Sequence, residues 1–379
     1  MKSFYVWAIA GVALAATACG DDGTTDGDTS GTGGATSGTT TTGQTTTGAG
    51  GNGQGGAGGA GQGGGGQGGS GQGGSGQGGA GGGAPVCGVP ALIGSVTMQD
   101  GEQAFDVAIE GSTLYVTLES DGIRAFDLTD AATPAARGIL DLPNAKRLAV
   151  EGGIAYVTQL GSGFAAVDFA DLDAPVLVGE PFTTNRTFYD VVRVAGRSLL
   201  ATDALAVVGD GAGGPELVTL LEEGGGRGLA TDGATLFAAN LIFGLNAYDV
   251  TDVDAPTLLA TFDENLSIEA LDVQGGIVLT GGVDTGLVRV DASDPNAMSV
   301  TGTTGEHTIR DVKFLREGLA LVAADAEGIL VVDTSADAPV VVATIPSDVK
   351  TNGIALGEGV VAVAQEGGNV LLLDPCPSE

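Results

Sequence analysis

The chain has 379 residues, 69 of them glycine, and its 47 acidic side chains against 14 basic ones give a net charge of −33 at pH 7. That charge excludes unaided binding to nucleic acid or to anionic lipid headgroups, both of which require basic surface. One histidine and three cysteines are too few for most zinc, haem or iron–sulfur sites, and any serine- or cysteine-based triad would have to pass through that one imidazole. No cofactor and no metal are expected.

Residues 1–18 carry one lysine, an apolar run from Phe4 to Leu14 and then small residues. This is the order of an export signal, and the run is short for a membrane span. The end resembles a bacterial lipoprotein signal: Ala18 and Cys19 fit, while Ala16 stands where leucine is usual. Lipid on Cys19 would make it the mature N-terminus and the membrane contact of the protein. The expected location is a cell envelope, at the outer membrane or surface of a Gram-negative bacterium. Residues 19–84 follow as a linker. In 20–84, 32 of 65 positions are glycine and most others are Thr, Gln, Ala, Ser or Asp. Such a stretch buries too little apolar surface to offset chain entropy, so it is expected to be disordered. Asp26 to Gly31 resembles the opening of an EF-hand loop, but Ser37 occupies the position of the closing acid.

Residues 85–379 form the third segment. An aspartate ends an apolar β-type run at Asp127, Asp168, Asp210, Asp249, Asp291, Asp333 and Asp374, at intervals of 41, 42, 39, 42, 42 and 41 residues. A second apolar run lies upstream of each, and a proline with a short apolar segment usually follows. A period near 42 built of short strands without helical periodicity predicts an all-β, seven-bladed β-propeller of four-stranded blades. In the second blade the strands are expected at 148–151, 154–159, 164–168 and about 176–182.

The chain stops before a seventh outer strand, and Gly88 to Gly94 repeats the form of Pro134 to Gly138 and Pro175 to Gly179. An N-terminal strand is therefore expected to complete the last blade and close the ring, leaving no long free edge. Within an intact blade, the residue two after the aspartate and the residue three before the proline are two apart. In the split blade these positions are Cys376 and Cys87. Residues so spaced lie about 5.5–7 Å apart at Cα, within reach of a disulfide. A Cys87–Cys376 bridge is predicted, consistent with an oxidising compartment.

Gly328-Ile-Leu-Val-Val-Asp333, with Pro339 and its apolar run, resembles the LVIVD repeat of bacterial and archaeal surface β-propellers. Gly122 to Asp127 and Gly244 to Asp249 are looser copies. Blade three departs most, since Ala206 to Asp210 leads into a glycine-rich turn, and blade five has Ala297 where proline is expected. The family has no established activity, so the resemblance implies a fold and no chemistry.

The repeated aspartates invite a calcium reading, but Asp and Thr at a strand end cap the backbone of the next turn, and one such pair per blade is what a repeated turn requires. The basic residues discriminate better. Lys146, Arg147, Arg186, Arg227, Arg310 and Lys350 fall in connections expected to surround one mouth of the channel, with Phe105, Asp106, Tyr189, Asp190, Glu269, His307, Asp311 and Asn352. A charged mouth of this kind is expected either to recognise an anionic or mixed-charge partner or to pair its charges internally. Replacing Arg147, Arg227 and Arg310 together by glutamine is expected to abolish binding without unfolding the ring. His307 stands in no nucleophile or metal motif and reads as a surface residue. The expected function is a monomeric, envelope-anchored, non-enzymatic module that binds a protein, peptide or polymer. The alternative is an envelope hydrolase or lyase using acids at the channel mouth.

Overall fold

Residues 87–99, 102–161, 163–222, 224–240, 244–262, 266–283 and 285–378 are described by the structure, a computed structural model. The signal-like segment, Cys19 and the glycine-rich stretch lie outside the described residues. The described chain forms seven antiparallel sheets of four strands each. The first strands of the blades are Ala104–Glu110, Ala145–Glu151, Asp190–Val194, Gly228–Asp232, Ala270–Gln274, Asp311–Arg316 and Thr351–Gly357. These strands pack against one another from blade to blade and so line the central channel. The all-β propeller expected from the repeat is the architecture observed.

The second and third strands of each blade read as nearly unbroken apolar runs because both of their faces are buried. In Thr113–Leu118, Leu114, Val116 and Leu118 face one neighbouring blade, and Tyr115 faces the other. The two-residue alternation of a strand sends successive side chains to opposite faces. The result is seven apolar clusters among the described residues, one at each junction between blades. Stability is thus held between repeats as well as within them.

The glycine that opens the repeat motif has a backbone reason. Gly122, Gly163, Gly244, Gly286 and Gly328 all have positive φ, a region where a Cβ is strained. At Gly122 a Cβ would also fall closer than 3.0 Å to the Leu140 carbonyl.

Blade two differs from its expected outline at both edges. Its first strand begins at Ala145, three residues earlier than expected, with an irregularity before Leu148. Its outer strand is only Val176–Leu177, followed by an isolated bridge between Phe164 and Phe182. Gly179, at φ 66°, turns the chain against the backbone of Gly213 and Gly214, and Pro181 has no N–H to offer the ladder. In blade three a hairpin joins Leu205–Gly211 to Gly214–Leu221 where the other blades place the capped aspartate turn.

Ring closure is as expected. Ala91–Thr97 is the outer strand of the blade whose other strands are Thr351–Gly357, Val360–Gln365 and Asn369–Asp374, pairing antiparallel with the last of these. Cys87 and Cys376 are disulfide-bonded, with Cα atoms 4.5 Å apart and a separation of 289 in sequence. The Gly88 N–H donates to the Pro377 carbonyl. Arg316, reaching over from blade six, donates to the Pro375 carbonyl at 2.9 Å. A further fastening was not foreseen: Glu102, just before blade one, takes an ion pair at 2.8 Å from the buried Arg124 and accepts the Gln99 N–H.

Candidate functional site at the channel mouth

Each inner strand delivers two consecutive residues to the mouth. Tyr189, Arg227, Glu269 and Arg310 occupy equivalent positions, since each donates its backbone N–H to the adjacent strand, to Ala201, Ala239, Gly281 and Ala323 respectively. With Phe105, Lys146 and Asn352 they make an outer rim. The next residues, Asp106, Arg147, Asp190, Gly228, Ala270, Asp311 and Gly353, form a throat one step deeper. The rim bounds a vestibule of about 270 Å³, and the throat a smaller cavity of about 100 Å³.

The throat carboxylates are fasteners between blades. Asp106 accepts the N–H of Leu148 at 3.1 Å, Asp190 that of Leu229 at 2.8 Å, and Asp311 that of Ile354 at 2.7 Å. Each acceptor thus grips the first strand of the next blade. Asp272, deeper in the channel, does the same for the Phe314 N–H at 2.7 Å. Glu110 holds Gly152 and Gly153, and Asp232 holds Gly276, at the far ends of the same strands. Much of the propeller's acidity is therefore structural, because a carboxylate satisfies backbone donors that apolar packing cannot.

Burial raises the Asp106 carboxyl above its ordinary value although Arg147, 3.2 Å away, opposes the shift. Burial pushes Asp190 up to about 6 against the pull of Arg147 and the Leu229 N–H, and raises Asp272 against Lys313. For Arg147 and Lys313 burial works against the charge, yet the surrounding carboxylates outweigh it, Asp106 and Asp311 foremost at Arg147 and Asp311 and Asp272 foremost at Lys313, and hold both above their ordinary values. The Asp190 shift has a defined sign. A carboxyl raised from 3.8 to about 6 on folding adds stability below the lower value and loses it as pH rises through the higher one. Asp190→Asn should therefore flatten the change in unfolding free energy, measured by urea denaturation, between about pH 4.5 and 7.5, by about 2 kcal/mol. A slope identical to that of the wild type would refute the assignment.

The structure gathers Asp106, Arg147, Asp190, Arg227, Glu269 and Asp311 around the throat, and Lys146, Tyr189 and Arg310 around the vestibule. It does not bring Arg186 there. Arg186 lines neither cavity and instead pairs with Asp203 and Glu222, each at 2.6 Å. Lys350 lies beside the vestibule and pairs with Glu366 at 3.5 Å. His307 is a surface residue with its Nδ1 3.0 Å from Glu327. Two channel residues escaped the sequence reading, Asp272 and Lys313. The available signal was the two-residue alternation of Ala270-Leu271-Asp272 and Asp311-Val312-Lys313, which places both in line with the throat.

Most rim and throat bases are committed. Lys146 pairs with Glu119 at 2.5 Å and lies 4.0 Å from the centre of the Phe105 ring. Arg147 pairs with Asp106 and donates to the Arg310 carbonyl, and Arg310 pairs with Asp325 at 3.3 Å. Arg227 is the exception. Its guanidinium lies 3.9 Å from the centre of the Tyr189 ring and has no ion pair among the described residues. Replacing Arg147, Arg227 and Arg310 together would therefore strip Asp106 and Asp325 of their partners, which corrects the expectation that this triple change spares the fold.

The aspartates at the strand ends cap their turns. Asp127 accepts both the N–H and the hydroxyl of Thr129, and Asp291 accepts both donors of Ser293. These side-chain hydrogen bonds hold both carboxyls below the usual range.

The LVIVD repeat family matches residues 144–183, the span of blade two. No curated protein matches the sequence. Among solved structures, a computationally designed protein, Ika8, is similar with a TM-score of 0.55 at 11% identity, over 75% of this chain and 99% of that one. At that identity the likeness is one of fold alone. Repeat, ring and closure agree: the chain is a seven-bladed β-propeller whose second blade, residues 144–183, matches the LVIVD repeat.

Proposed function

We propose that this propeller is a non-enzymatic binding module, held at a bacterial cell envelope by lipid on Cys19, that docks an anionic or mixed-charge protein, peptide or polymer at its channel mouth. The observation that carries the reading is Arg227, a guanidinium presented to the vestibule with an aromatic ring behind it and no carboxylate on it. In a chain with 47 acids and 14 bases, such a cation is available to a partner. The acids a hydrolase would recruit there, Asp106, Asp190 and Asp311, are engaged by backbone N–H donors of neighbouring blades. Ala18-Cys19 and the glycine-rich stretch after it support the anchoring half of the proposal.

Two measurements test it. Arg227→Gln should fold like the wild type and recover at least about tenfold less partner from native envelopes, a loss on the scale of one charge-assisted contact. Equal recovery would overturn the mouth as the docking face. Cys19→Ala should move the protein from the membrane pellet to the soluble fraction, and retention in the pellet would overturn lipid anchoring.

A further inference from the structure

The rim is mostly basic, whereas the throat below it is mixed in charge. The vestibule is bordered by Lys146, Arg147, Arg227 and Arg310 with one acid, Glu269. The cavity beneath it mixes the carboxylates of Asp106, Asp190 and Asp311 with Arg147 and Lys313, which pair with Asp106 at 3.2 Å and Asp311 at 3.8 Å. Glu269 borders both cavities, and among the described residues its carboxylate, like the Arg227 guanidinium, has no hydrogen bond or ion pair. The two residues stand at the same height on adjacent blades, yet they do not pair. Tyr189 gives the reason: it lies on the blade beyond Arg227 and holds the guanidinium against its ring at 3.9 Å, on the side away from Glu269.

A simple anion placed between them would satisfy Arg227 and face the Glu269 carboxylate. A simple cation would do the reverse. Only a ligand with both signs satisfies both groups, with its positive end towards Glu269 and its negative end towards Arg227. The vestibule, about 270 Å³, admits a molecule of amino-acid size, and the throat, about 100 Å³, has room for an ammonium end together with a few waters. We infer that the mouth binds a small zwitterion bearing a primary ammonium and a carboxylate, either as a free solute or as the end of a peptide chain whose last residue is lysine. This inference rests on the mouth being the binding face and specifies its ligand.

The test titrates the exported chain by NMR with γ-aminobutyrate, butyrate and butylamine. γ-Aminobutyrate should bind at least about tenfold tighter than either singly charged analogue. Arg227→Gln should weaken γ-aminobutyrate and butyrate but not butylamine, and Glu269→Gln should weaken γ-aminobutyrate and butylamine but not butyrate. Butyrate or butylamine binding as tightly as γ-aminobutyrate would overturn the inference, as would no shift with any of the three at millimolar concentration. An N-acetylated peptide ending in lysine that displaces γ-aminobutyrate identifies a chain end as the source, and failure to displace it identifies a free solute. If envelope capture depends on Arg227 while γ-aminobutyrate does not bind, the zwitterion falls and the docking face stands. If γ-aminobutyrate binds while capture is unchanged in Arg227→Gln, the docking of a macromolecule at this mouth falls.

Discussion

Removal of the Cys87–Cys376 bridge, by reduction or by changing both cysteines to serine, should destabilise the propeller by up to about 5 kcal/mol. A bond across 289 positions removes more freedom from the unfolded chain than a local one, and the chain-entropy relation gives about 5–6 kcal/mol for such a loop. A loss of that size in a domain of this length corresponds to a melting temperature lower by roughly 10 °C. The damage should begin locally. Ala91–Thr97 is mostly exposed, with only Val96 buried, and it is held by its ladder to Asn369–Asp374. Hydrogen exchange in the reduced protein should therefore rise first in Ala91–Thr97, while the inner strands stay protected. An unchanged melting temperature on reduction, with Ala91–Thr97 still protected, would show that the ladder and Arg316 suffice without the bridge.

Asp106→Ala should be the most costly single change in the channel, at about 3–5 kcal/mol. Breaking one partner from a buried ion pair leaves the other charge uncompensated, and here the same carboxylate also accepts the Leu148 N–H from the next blade. Asp106→Asn should cost less, because an amide oxygen can still accept that N–H while the charge is lost. Gly353→Ala should reproduce much of the alanine effect from the opposite blade, since its Cβ would fall closer than 3.0 Å to the Asp106 carboxylate. The two changes break one contact, so their costs should not add. The double variant should be close in urea midpoint to Asp106→Ala alone, and a sum of the two single effects would show that Gly353 matters for another reason.

The ring, its seven blades and its closure were legible in the sequence because they are written in spacing. The 42-residue period, the capped aspartates and the cysteines at the broken repeat all depend on where residues fall along the chain. The site was legible only to the level of position. Asp106, Arg147, Asp190, Arg227, Glu269 and Asp311 do meet at one mouth, because equivalent positions in a repeat converge on its axis. What spacing does not reveal is which charges are already spent. Arg147 pairs with an acid 41 positions away and donates to a carbonyl 163 positions away. Arg186 turns to Asp203 and Glu222 because the loop carrying it follows the shortened outer edge of blade two. Such choices are made by side chains across blades after the ring exists.

The split blade also imposes an order of events on assembly. Ala91–Thr97 is made before any other described strand, yet its ladder partner Asn369–Asp374 is made last. During synthesis, the strand Ala91–Thr97 must wait with its edge open until its partner arrives. Blades one to six can form as neighbouring hairpins emerge, but the annulus is completed in a single late event that joins both ends of the sequence. The rate of that event, and not the formation of any blade, should then set the time to maturity. Premature pairing of the waiting strand with another nascent chain would be the characteristic way for the protein to misassemble.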